Sequence, residues 1–123
     1  MMLFVTDWRK SIGILNYKIE ITSLAEQDLE DAADYIAFEL KNPVAAVNMV
    51  KGIRKQINSL KTFPECNELD EDSILAEFGI RMDYYKNYKI YYVIERDVII
   101  VIRILHMLVN SRVWLYRTLG LNS

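Results

Sequence analysis

The side chains of this 123-residue chain best suited to chemistry lie in its last third. His106 is the only histidine and the only side chain whose unperturbed pKa lies near neutrality, so it is the natural candidate for proton transfer, with a structural role at a strand end as the plain alternative. Lys89 stands beside Tyr84, Tyr85, Tyr88, Tyr91 and Tyr92. Such a stretch either presents a phosphate-binding surface or forms an ordinary tyrosine-rich strand whose rings pack. Arg103 interrupts an aliphatic run, and a buried guanidinium without a partner is costly. It therefore needs a carboxylate or carbonyl partner or a wet end of the sheet, with pairing to an acid of the first helix favoured over contact with a target. Arg81 and Lys86 are either solvated or target contacts. Cys66 has no histidine near it in sequence and no reason to act as a nucleophile.

Bulk properties narrow the classes open to these residues. Apolar residues make up 52% of the chain, with four Gly and two Pro, the profile of one compact domain rather than a disordered chain. A single cysteine forms no internal bridge, and one cysteine with one histidine builds no zinc site. No metal or cofactor is expected, and a reducing cytoplasm is the expected compartment. The opening MMLFVTDWRKSIGIL is too interrupted by Asp7, Arg9 and Lys10 to serve as an export signal, and no apolar run is long enough for a membrane span. Residues 1–16 read as a peripheral extension and residues 17–119 as the domain. Net charge is −2 but uneven: residues 1–80 carry 8 Lys and Arg against 14 Asp and Glu, and residues 81–123 carry 7 against 3. The basic end permits an anionic partner, while the acidic total argues against strong non-specific phosphate affinity.

The elements that position these residues follow from periodicity. Residues 17–21 alternate as a strand and lead into a helix from Ser23, with Ser23 and Glu26 at capping-box spacing, running to about Lys41. Asn42-Pro43 starts a second helix, with Val47, Val50, Ile53, Ile57 and Leu60 as its apolar stripe. The short connection makes the two an antiparallel hairpin. Residues 65–76 read as an acidic loop. Strands are expected from about Glu77 to Tyr84, from Tyr88 to Glu95 and from Val98 to His106, the last two joined by a two-residue turn at Arg96-Asp97. That turn places Lys89 opposite Ile104 and Asn87 opposite His106 on one face, with Arg103 on the other, provided the register does not slip. A short helix over Ser111–Leu119 closes the chain, packing through Val113 or Trp114 and Leu119. The expected fold is α+β: a helical hairpin on a small twisted antiparallel sheet with a short C-terminal helix.

This order resembles the RelE/ParE toxins of type II toxin–antitoxin systems. The resemblance is carried by YKIEITSLAEQDLEDAADYIAFEL, by SLKTFPE at Ser59–Glu65 and by GIRMDYYKNYKIYYVIERDVIIVIRILH at Gly79–His106. It implies growth inhibition held in check by a cognate antitoxin protein, with two branches on one fold. ParE-like members poison DNA gyrase, and RelE-like members cleave mRNA on the ribosome without metal. For the second branch, attack by a 2′-hydroxyl needs a group to activate it, cations for the crowded phosphate and an acid for the leaving oxygen. Lys89 matches the family's basic position on the central strand. The basic run that the ribonucleases carry after the last strand is replaced by Met107-Leu108-Val109-Asn110. Catalysis would then fall to Lys89, His106 and Arg112, with Trp114 or Tyr116 stacking a base. The two long helices and the RILH ending look more like the gyrase-directed branch, in which Arg81, Lys86, Lys89, Arg103, Arg112, Trp114 and Tyr116 would be target contacts. A toxin-like fold kept only as a binding module is the third reading.

Overall fold

The computed structural model describes residues 17–121, so the reading of residues 1–16 as an extension lies outside the described residues. Strand β1 spans Lys18–Ile21 and alternates exposed with half-buried side chains. Helix α1 follows at Ser23–Asp34. Its cap is Thr22 rather than Ser23, because the Thr22 hydroxyl both accepts the Ala25 N–H at 3.1 Å and donates to the Ile102 carbonyl at 3.1 Å, which fixes it in place. The helix widens into a π turn at Tyr35–Glu39, and Lys41, with φ of 53°, reverses the chain.

Helix α2, Pro43–Ser59, begins as its sequence predicts, with the Asn42 side chain accepting the Ala45 N–H at 3.1 Å. Its buried stripe is Ala46, Met49, Ile53 and Ile57, with Leu60 beyond it. Val47, expected in that stripe, faces outward. The helix is turned so that its small residues meet its neighbours: a Cβ at Gly52 would stand 1.9 Å from the Tyr85 hydroxyl. Glycine is tolerated mid-helix here because only its bare backbone admits that ring.

The segment expected to be loop holds a 3-10 turn at Pro64–Cys66 and a short helix α3 at Ser73–Glu77. Asp72 makes α3 possible, its carboxylate accepting the Ile74 and Leu75 N–H groups at 2.9 and 3.1 Å. Glu77 is therefore helical. Gly79, at φ of 77°, turns the chain into β2, Arg81–Tyr85. Strands β3, Tyr88–Glu95, and β4, Val98–His106, form the expected hairpin, and helix α4, Ser111–Thr118, follows.

The four strands are ordered β1-β4-β3-β2, with β1 parallel to β4 and the other pairs antiparallel. The sheet is thus mixed rather than wholly antiparallel. A strand that reaches the rest of the sheet through a long helical connection is free to pair in parallel, whereas strands joined by tight turns are not.

Register in the β3–β4 hairpin follows the two-residue turn from Glu95↔Val98 as far as Tyr92↔Val101, and then shifts by one at Ile102. Beyond this bulge Lys89 pairs with Leu105, and Tyr88 with His106. The extra residue exchanges the faces of everything after it. Ile99, Val101, Ile104, Ile90 and Tyr92 join Leu29 and Ile53 in the core beneath the helical hairpin. Tyr91 and Leu105 join Leu75, Ile80, Leu115 and Tyr116 in a second core under α3 and α4. Lys89 and His106, expected on one face, lie on opposite ones.

Candidate functional site

The site begins with the residues that hold α4 against the sheet. Leu115 and Tyr116 are buried, whereas Trp114, expected to anchor this helix, is largely exposed. Helical spacing from Ser111 through Leu115 selects one side of α4, and Trp114 falls off it. The Tyr116 hydroxyl donates to Asp72 at 2.9 and 3.1 Å, and Arg112 Nε pairs with Asp72 Oδ2 at 2.9 Å. One carboxylate thus caps α3 and tethers α4. Its pKa is lowered, chiefly by the Leu75 N–H and then by the Tyr116 hydroxyl, the Ile74 N–H and Arg112.

Between this tether and the sheet lies an open cavity lined by Tyr84, Lys89, Tyr91, Ser111 and Arg112 together with Glu68, Asp70 and Glu71. Lys89 is half-buried and makes no ion pair among the described residues. The Ser111 hydroxyl is buried without a hydrogen-bond partner. Burial raises the Tyr91 phenol pKa, and the nearby Ser111 partly offsets this. The lining therefore holds three carboxylates and two cations, a balance that works against drawing in a polyanion.

His106 sits on the other side of the sheet. Its ring meets Tyr88 edge-on at 5.3 Å between centroids, and its Nδ1 accepts the Leu108 N–H at 3.1 Å. That bond leaves the ring proton on Nε2. The surrounding hollow is built from Tyr35, Tyr85, Tyr88 and Met49, without Lys89 or Arg112. The three residues proposed for RNA cleavage are therefore not brought together.

Several expected target contacts are used inside the fold. Arg103 is buried and pairs with Asp28 of α1, Nη2 to Oδ1 at 2.6 Å and Nε to Oδ2 at 2.8 Å, while Nη1 donates to the Thr118 hydroxyl at 3.0 Å. Arg81 donates to the backbone carbonyls of Asn67 and Glu65. Tyr116 is buried and cannot stack on a base. Lys86, with φ of 51° in the β2–β3 turn, is exposed beside the Tyr85 ring. Trp114 is exposed between two guanidinium groups, Arg103 at 5.3 Å and Arg117 at 5.6 Å from its ring. The Met107–Asn110 turn presents Leu108, which is 86% exposed and lines a hollow with Tyr35, Tyr88 and His106. At that exposure the Leu108 side chain contributes little to packing. Arg117 was missed, and its place one helical turn from Trp114 on α4 was the available signal.

The family model for the ParE toxin of the type II toxin-antitoxin system parDE matches residues 19–108. The chain belongs to the ParE toxin family. It is thus a type II toxin of the RelE/ParE superfamily, in keeping with the α+β fold described above. Among solved structures, the toxin resembles a chain of the chromosomal ParDE system of P. aeruginosa, with a TM-score of 0.63, 19% identity, 73% of this chain and 95% of that one covered. It also resembles a chain of the RelBE2 toxin-antitoxin complex of Mycobacterium tuberculosis, with a TM-score of 0.56, 18% identity and coverage of 76% and 93%. No curated protein sequence matches it. At these identities the likeness is one of fold, and it spans both branches of the superfamily. Among the described residues no helix is long and apolar enough to cross a membrane.

Proposed function

We propose that this toxin stops growth by binding DNA gyrase in the cytoplasm, rather than by cleaving mRNA on the ribosome, and that a cognate antitoxin neutralises it. The observation that carries this reading is the separation of Lys89 from His106 by the thickness of the sheet. Metal-free cleavage asks for cation and proton-transfer groups around one phosphate. Here the proton-transfer candidate packs on Tyr88, Arg112 is held by Asp72, and three carboxylates line the cavity that Lys89 shares. Binding needs none of that convergence. It needs an exposed apolar and cationic surface, which Leu108, Trp114 and Arg117 supply.

The ribonuclease reading retains one observation in its favour, the unpaired Lys89 in a cavity floored by tyrosines. The experiment that separates the two is induction of the toxin alone, with labelled thymidine and labelled methionine followed over the first minutes. Thymidine incorporation falls first if gyrase is the target, and purified toxin then inhibits supercoiling by purified gyrase. Methionine falling first, with ribosome-dependent cleavage of mRNA, would replace this proposal by the ribonuclease. No effect on either would leave an inactive binding module.

A further inference from the structure

The two helices of the hairpin are opposite in charge. Residues 23–40 hold Glu26, Asp28, Glu30, Asp31, Asp34 and Glu39 and no lysine or arginine, whereas α2 holds Lys51, Arg54 and Lys55 and no acid. Between them runs an apolar groove floored by Ala37, Val47 and Val50, with Asp34 on one rim and Lys51 on the other. Phe38 is 73% exposed, Val44 68% and Val47 52%. Large side chains left in water on a helical face, next to a ready groove, mark an interaction surface. Arg54 already pairs with Glu26 across the two helices at 2.9 Å. Glu30, Asp34, Lys51 and Lys55 make no ion pair among the described residues.

We propose that this face joins two copies of the chain. A two-fold axis lying along the groove places the acidic rim of each copy on the basic rim of the other, which is the self-complementarity that an isologous dimer requires. Heights are compatible as well as signs. Asp34 lies seven residues before Lys41 and Lys51 ten after it, an offset of about 4.5 Å along a helix that the long lysine side chain spans, and Glu30 and Lys55 stand one helical turn further along. The dyad therefore sets Asp34 against the Lys51 of the second copy and Glu30 against its Lys55. At the same time Phe38 of each copy lies on Val44 and Val47 of the other. A groove suited to an antitoxin helix would need only an apolar floor; rims of opposite charge fit a second copy turned about the groove. This inference rests on the hairpin alone and is independent of which target the toxin poisons.

Sedimentation of the purified full-length chain over a hundredfold concentration range tests it, at low and high salt. A monomer–dimer equilibrium that weakens with salt is expected. Each rim contact occurs twice in a symmetric dimer, so Asp34→Lys or Lys51→Glu alone should weaken it about tenfold. The double variant, with both rims reversed, should restore it. Phe38→Glu should abolish it, and since Phe38 is exposed its thermal unfolding should match the parent; if that variant fails to fold, the charge reversal and its rescue decide. A chain monomeric throughout, a dimer indifferent to single reversals, or no rescue by the double reversal would overturn the proposal. So would a monomer that crosslinks an antitoxin helix through position 38.

Discussion

The Asp28 carboxylate is shared between the side chain of Arg103 and the backbone of the next residue. It takes the guanidinium through both oxygens and the Ile104 N–H at 2.9 Å. Strand β1 covers β4 only as far as Val101, and beyond that point the edge of β4 would lack a partner. Asp28 supplies one from α1, and the bulge at Ile102 brings Arg103 to the side of the sheet where α4 waits.

Removing the guanidinium should therefore be costly. Arg103→Ala is expected to destabilise the toxin by about 3 kcal/mol, because it leaves a largely buried carboxylate uncompensated. Asp28→Asn should cost less than Asp28→Ala, since the amide oxygen can still accept the Ile104 N–H. Urea unfolding with an unchanged slope checks both. An effect of Arg103→Ala below about 1 kcal/mol would mean that the pair behaves as a solvated one.

Tyr92 is fully buried, bonds the Pro64 carbonyl and accepts from Asn67, and its pKa is pushed up to about 12, chiefly by burial. In the unfolded chain it ionises near 10. Its contribution is thus fully present below pH 10 and is lost as the pH rises through 12, amounting to about 3 kcal/mol at that end. Tyr92→Phe should remove this part of the alkaline slope and lower stability at neutral pH by about 1 kcal/mol through the lost hydrogen bonds. Unfolding free energies compared at pH 8 and pH 11 give the answer; identical slopes for the two proteins would contradict the assignment.

Asp72 works in the opposite direction. Its pKa is lowered, so its contribution is present above about 3.8 and is lost as the pH falls through its folded value. Asp72→Asn should weaken the hold on Arg112 and Tyr116 and raise amide exchange over Ser111–Thr118 before it affects α1 and α2. Uniform protection across the helices would show that Leu115 packing alone holds α4.

Leu108 offers the cleanest separation of function from stability. With 86% of it exposed, Leu108→Asp should change unfolding by less than about 0.5 kcal/mol. If the Leu108, Trp114 and Arg117 surface contacts gyrase, the same variant should lose toxicity and supercoiling inhibition by more than about tenfold. Full toxicity in both Leu108→Asp and Trp114→Ala would place the working surface elsewhere.

Local patterns in the sequence determined much of this molecule. The hairpin helices were legible because Asn42-Pro43 and the spacing of Ile53, Ile57 and Leu60 are signals internal to one segment, and strands β3 and β4 because short runs enriched in β-branched and aromatic residues flank a two-residue turn. The need of Arg103 for a partner followed from the cost of burying charge, and the structure identifies that partner as Asp28. Tertiary structure decided what depends on two segments meeting. The parallel pairing of β1 with β4, the seating of Tyr85 on Gly52 and the tether of Tyr116 to Asp72 all rest on contacts between residues distant in sequence. The bulge at Ile102 matters most: one added residue leaves composition and alternation almost unchanged, yet it moves His106 to the face opposite Lys89. Periodicity fixes which residues share a face only while the register holds, and register belongs to the pair of strands rather than to either one.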